Sequence, residues 1–217
     1  DHGPWTAIAD YGDGTPPQPV ALQPDKTFTL SHVYDDDGAY LLTVTVTDAA
    51  GGSGTSTASV AIENVAPEAT LAGGSGDEGA PVTVSFSGQS DPSGADTAAG
   101  FTYRYACDGV TLGTETADPT ATCAFDDGPG TYTVLARIAD KDGGHSDHTA
   151  EVTVANVAPT GVLANDGPVA EGAPATISWS GQSDPSAADT AAGFTYRYAC
   201  DGGTLGAPTS EIGRAHV

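Results

Sequence analysis

The sequence predicts an all-β chain built as tandem antiparallel β-sandwiches, and three observations carry that expectation. Long segments recur at a fixed offset: SGQSDPS at 87–93 returns at 180–186, and FTYRYACDG at 101–109 returns at 194–202. Within each recurring segment the apolar residues alternate with polar ones at a period of two. The alternating runs are short and separated by Gly, Asp and Pro clusters; Gly and Pro together make 44 of the 217 residues, rich in turns yet below the level of a low-complexity chain.

The repeats set the organisation. GAYLLTVTVTDAAGG (38–52) aligns with GTYTVLARIADKDGG (130–144) at an offset of 92, and NVAP stands at 64–67 and 156–159. The chain therefore reads as a domain over 1–66 that lacks its first strands, a complete domain over 67–158, a third over 159–210 cut short, and a tail over 211–217. A period of this size suits a self-contained small domain rather than a solenoid turn. The tail EIGRAHV breaks the repeat register and reads as a translated sequencing adapter, so it is set aside as non-native. It carries one acid and one base, and the net charge of -23 consequently belongs to the repeats. With no Met anywhere, Asp1 is expected to lie inside a longer polypeptide.

Taken in order, Tyr40, Leu42, Val44 and Val46 share one face of a strand while Thr43, Thr45 and Thr47 share the other. The same parity marks Val82, Val84 and Phe86; Phe101, Tyr103 and Tyr105; Tyr132, Val134, Ala136 and Ile138; and Val152 with Val154. No stretch shows convincing helical periodicity. Tyr40 and Tyr132 follow Gly-containing turns at the start of the penultimate strand. They fit either the tyrosine corner of an immunoglobulin-like sandwich or an ordinary core position.

At DYGDGT (10–15) and SHVYDDDGAYLLTVTVTD (31–48) the sequence resembles the PKD domain, an immunoglobulin-like repeat, in its bacterial tandem form. The resemblance covers all but the last seven residues; for the second and third repeats, where YRYACDG (103–109) replaces the Gly-Asp-Gly turn, it is to a broader immunoglobulin-like relative. It implies a non-catalytic stalk, spacer or adhesion and protein-interaction module of an extracellular or cell-surface protein. The expected partners are other domains of the same polypeptide and extracellular protein or polysaccharide. His32 falls on the family's signature histidine, where a structural hydrogen bond is expected.

Cys107 and Cys123 lie 16 positions apart in one repeat, and Cys200 copies Cys107, with the copy of Cys123 due near 216 in the tail. Two readings stay open: an intra-domain disulfide, suited to an oxidising compartment and stabilising by roughly 3 kcal/mol, or two buried thiols. No second Cys or His pair has zinc-ligand spacing.

Chain direction in a sandwich decides which loops share an end. Asn64 and the loops 88–100 and 139–147 belong at one pole, which gathers Asp91, Asp96, Asp140 and Asp142. The loop 73–80 and the turn 126–129 belong at the other, which gathers Asp77, Glu78, Asp126 and Asp127 against Asp184 and Asp189 of the third repeat. Clustered carboxylates repel, and a hard cation with several oxygen ligands relieves that repulsion, so calcium at both junctions is one reading. The other is solvated turns, because Asp and Asn bond to nearby backbone in turns.

Other functions fit less well. With 29 acidic side chains against six basic ones the chain is no nucleic-acid binder, and no apolar run is long enough to insert in a membrane. His145 and His148 flank Asp147, but no catalytic motif accompanies them, and a repeated unit is more readily a scaffold than an active site; no enzymatic activity is expected. The alternative is an accessory carbohydrate- or polymer-binding module of a secreted hydrolase. It needs exposed aromatic platforms, whereas parity turns Trp179, at the repeat position of Phe86, inward, and likewise buries Tyr103, Tyr105, Tyr196 and Tyr198.

Overall fold

The computed structural model describes residues 4–200 and 202–210. The tail 211–217, with the counterpart expected for Cys123, lies outside them. The chain divides into two compact units, one of Asp1–Ala69, Gly88–Tyr103 and Ile138–Ser146, the other of Thr70–Ser87, Arg104–Arg137 and Asp147–Val217. Each is taken by itself.

In the first unit β1 (Thr6–Asp10), β2 (Gln18–Val20), β3 (Gly38–Thr47) and β4 (Ser53–Ile62) form one antiparallel sheet in the order β2-β1-β3-β4. β3 and β4 pair along their length from Gly38↔Ile62 to Thr47↔Ser53. Their tight turn follows from Asp48, whose carboxylate accepts the backbone N–H of Ala50 and of Gly52 at 2.9 and 2.8 Å. Ala7, Ala9 and Tyr11 are buried, but in β3 the threonine face and the Tyr40, Leu42, Val44, Val46 face are alike only partly covered.

The middle repeat contributes β5 (Glu68–Ala72), β6 (Ser75–Asp77), β7 (Pro81–Ser90), β8 (Thr102–Ala106), β9 (Thr120–Ala124), β10 (Gly130–Ala139) and β11 (His145–Ala155). They form two sheets, β6-β11-β10-β8 and β5-β7-β9. In the second unit Val82 and Val84 of β7, Cys123 of β9, Phe125, Val134 of β10, and Val152 and Val154 of β11 make one core cluster. Val82, Val84, Val134, Val152 and Val154 are positions that period-two parity assigns inward, and the cluster gives the all-β, immunoglobulin-like sandwich expected from the sequence. Cys107 and Cys123 are joined in a disulfide with Cα atoms 5.5 Å apart.

Both tyrosine corners are present. The Tyr40 hydroxyl donates to the carbonyls of Asp36 and Asp37 at 2.9 and 3.2 Å, and the Tyr132 hydroxyl donates to that of Asp127 at 2.6 Å. Tyr40 stacks on Tyr34 with centroids 4.4 Å apart and Tyr132 on Phe125 at 4.6 Å, which makes the two acidic turns structural counterparts. His32 is a hydrogen-bonder as expected: its Nε2 lies 2.6 Å from Asp13 Oδ2, and its ring stacks on Tyr11 at 3.8 Å. That pair, with the Thr15 hydroxyl as the larger influence, holds the Asp13 carboxyl far below the usual carboxylate range.

Two features depart from the sequence pattern. The described residues contain two helices, α1 (Gly94–Ala99) and α2 (Ala187–Ala192). Six residues are too few to show a 3.6-residue period, so the signal was confined to their ends. Ser93 and Ser186 are N-caps accepting from the N–H of Asp96 and Asp189, and Gly100 and Gly193 follow at φ of 84° and 85°, where a side chain would be strained. The aromatic parity also fails in the third repeat. Phe86 is 5 % exposed, whereas Trp179 is 37 % and Tyr198 48 % exposed. β12 (Thr160–Asn165) and β13 (Ile177–Ser183) pair only with each other among the described residues, so the face that Phe86 buries stays open at Trp179. Tyr103 is buried, and Tyr105 and Tyr196 are partly covered.

Candidate functional site

The chemistry of the chain is concentrated in carboxylates, and its turns bring them together in three groups. In the first unit Asp91, Asp96 and Asp140 each offer an oxygen within 4.8 Å of the others. Asp91 is placed by an Asx turn onto the Ser93 N–H at 2.8 Å, Asp96 by the first turn of α1, and Asp140 by the hairpin in which its Oδ1 accepts from Asp142 N and Gly144 N. Burial is deep: Asp96 is 1 % and Asp140 6 % exposed. Asp91 Oδ2 and Asp96 Oδ2 are buried without a hydrogen-bond partner among the described residues. A buried carboxylate oxygen with no donor is costly, and a cation is the partner such a set of oxygens suits.

Asn64 reaches this group, but as a donor: its Nδ2 binds Asp140 Oδ2 at 3.0 Å. Asp142, expected beside Asp91 and Asp140, instead makes a second group with Asp96 and Asp36, a residue the sequence did not single out. The reason lies in Lys141, whose ammonium sits 2.7 Å from Asp36 Oδ1 and 3.1 Å from Asp96 Oδ1 and also contacts Asp142. Its hydrogen bond holds the Asp142 carboxyl below its ordinary range, while burial and the neighbouring Asp142 push Asp37 up.

In the second unit Glu78, Asp127 and Asp189 form the third group, again within 4.8 Å. Glu78 is 1 % exposed, and its two oxygens accept the N–H of Gly128 and of Val157, each at 2.7 Å. Asp126 lies beside this group and is engaged elsewhere: its carboxylate accepts the N–H of Ala187 and Ala188 at the start of α2. Asp184 forms the Asx turn onto Ser186, and Asp77 is exposed. The first unit repeats the pattern, since Asp35 accepts the Gly94 N–H at the start of α1 at 2.9 Å. An acidic turn of one repeat thus caps the short helix of the next, once in each unit.

Burial, followed by the charges of Glu78, Asp184, Asp127 and Asp126, raises the Asp189 carboxyl above its ordinary pKa. A folded-state pKa above the unfolded value means that the folded chain holds the proton more tightly, so ionising Asp189 removes stability as pH rises through the raised value. Thermal melts in chelator are therefore expected to show Asp189→Asn more stable than the parent at about pH 7, with the difference closing as pH falls below about 3, where Asp is protonated in both states. Equal melts at both pH values would exclude this repulsion.

Among the described residues no histidine or cysteine joins a group that could hold a metal ion. His145 is exposed, the His148 ring meets the Phe86 edge at 5.5 Å, and Asp147 is paired with Arg137 at 2.7 Å. Cys200 is a free, exposed thiol. No helix among the described residues is long and apolar enough to cross a membrane.

Among solved structures, the chain is similar to the fibronectin(III)-like modules of Clostridium thermocellum CbhA, with 14% identity over 72% of this chain and 81% of that one at a TM-score of 0.34. It is similar also to the FN1-FN3 domains of chicken CNTN1, with 16% identity over 81% and 65% at 0.33. Extracellular domains 3-5 of Drosophila OTK match with 14% identity over 70% and 51% at 0.38. The chain spans less than two thirds of the latter two. No curated protein matches it. Residues 1–62 match the PKD domain family.

Proposed function

We propose that this chain is a non-catalytic, extracellular repeat segment, serving as stalk, spacer or adhesion module within a larger surface or secreted protein of bacterial type. The observation that carries the reading is the recurrence of one junction: Asp35 on α1 and Asp126 on α2, each an acidic turn capping the helix of the following repeat. A copied scaffold with a copied coupling between its parts is what a load-bearing array needs. The Cys107–Cys123 disulfide suits the oxidising exterior. The PKD match over 1–62 supports the same role. Replacing residues 1–210 in the parent protein by an unrelated sandwich array of equal length tests it. A spacer survives the exchange, an adhesion module loses partner binding, and failure of surface labelling on intact cells would remove the extracellular assignment.

The second reading, a carbohydrate- or polymer-binding module, is favoured by the exposed Trp179 and Tyr198. Retarded migration in polysaccharide gels, lost in Trp179→Ala, would support it.

We further infer that Asp91, Asp96 and Asp140 hold calcium, with Asn64 orienting Asp140, and that Glu78, Asp127 and Asp189 hold a second ion in the second unit. The unpartnered oxygens of Asp91 and Asp96 support this. Calcium at roughly 100 times its Kd is expected to stabilise the chain by about 2.7 kcal/mol per site, seen as a rise in melting temperature. Asp91→Asn should remove the contribution of the first site, whereas a melt indifferent to calcium and chelator would refute both sites.

A further inference from the structure

We propose that the Lys141 ammonium acts as a tethered cation occupying a second divalent-cation position, formed by Asp36, Asp96 and Asp142, so that the wild-type chain is held to one bound ion around Asp96. This rests on the calcium reading of Asp91, Asp96 and Asp140.

Two observations support it. The oxygens of Asp36, Asp96 and Asp142 lie within 4.8 Å of one another, a spacing that one ion could bridge, and the Lys141 nitrogen contacts all three. Asp96 belongs to both triads and its side chain is 1 % exposed, with Oδ1 facing only the Lys141 ammonium and Oδ2 facing no donor among the described residues. Take the ammonium away and both oxygens of a buried carboxylate are unpaired, beside two further carboxylates. A divalent cation would balance the charge of such a site.

A tethered ammonium is always present, whereas a divalent ion must be supplied by the medium. Lys141 thereby makes part of this junction independent of calcium.

Isothermal titration of the full chain with calcium tests this. Lys141→Met is expected to take up one calcium more than wild type, with the extra ion lost in Lys141→Met/Asp142→Asn, and Lys141→Arg to bind as wild type does. Equal uptake by Lys141→Met and wild type overturns the proposal. If Lys141→Met melts below wild type in chelator, Lys141→Gln repeats the comparison with the same expectations. The two readings separate cleanly. Uptake by wild type that needs Asp91, with nothing added in Lys141→Met, leaves the calcium reading and removes this one. No uptake by wild type, with an Asp142-dependent ion in Lys141→Met, does the reverse.

Discussion

Glu78→Gln is expected to destabilise the chain by about 3 kcal/mol and to expose the backbone N–H groups of Gly128 and Val157 to hydrogen exchange. Glu78 is 1 % exposed and each of its oxygens accepts one of those N–H groups at 2.7 Å. Hydrogen bonds to a buried charged acceptor are worth about 1.5–3 kcal/mol each. An amide keeps one acceptor and turns a donor toward the other N–H, leaving that group buried and unpaired. Val157 belongs to the NVAP segment at 156–159, so the carboxylate ties the linker to the turn before Tyr132. Glu171, the copy of Glu78 one repeat later, is exposed, and Glu171→Gln should change neither exchange nor melting. Equal protection at Gly128 and Val157 in wild type and Glu78→Gln would show that the carboxylate does not hold them.

Reducing the Cys107–Cys123 disulfide is expected to remove a similar amount, about 3 kcal/mol, from the middle repeat. The separation of 16 residues sets the conformational entropy that the bond withholds from the unfolded chain. Cys123 is 1 % exposed in the core and Cys107 packs against it, so reduction in place alters the constraint without removing side-chain atoms. Urea titrations of the oxidised and reduced chain measure the difference. Thiol counting gives one reactive cysteine, Cys200, before reduction and three after. Coincident urea curves would mean that the bond does not restrict the unfolded state.

The inward positions of the middle repeat were legible before any coordinates. Val82, Val84, Val134, Val152 and Val154 follow from alternation alone, since a strand turns every second side chain to the same face whatever lies opposite. Alternation could not say whether an opposite layer is there. Trp179 and Phe86 share parity and repeat position, yet Trp179 is 37 % exposed because, among the described residues, β13 pairs only with β12. Helices α1 and α2 escaped because their information is carried by a cap at each end, Ser93 with Gly100 and Ser186 with Gly193, instead of by a period.

The acidic groups divide in the same way. Strand direction places Asp91, Asp96 and Asp140 at one pole and Glu78, Asp127 and Asp189 at another, and the structure brings each set within 4.8 Å. It could not assign Asp142, which Lys141 draws to Asp36, nor separate Asp126, which caps α2, from Asp127. The sequence by itself determined the repeats, the strands and the ends at which charge gathers, because each depends on local periodicity or on the order of the chain. Only the tertiary structure decided which carboxylates come within reach of one another and which aromatic rings are covered. Those outcomes turn on distances of a few ångströms between residues far apart in sequence, where electrostatic and packing energies change most steeply.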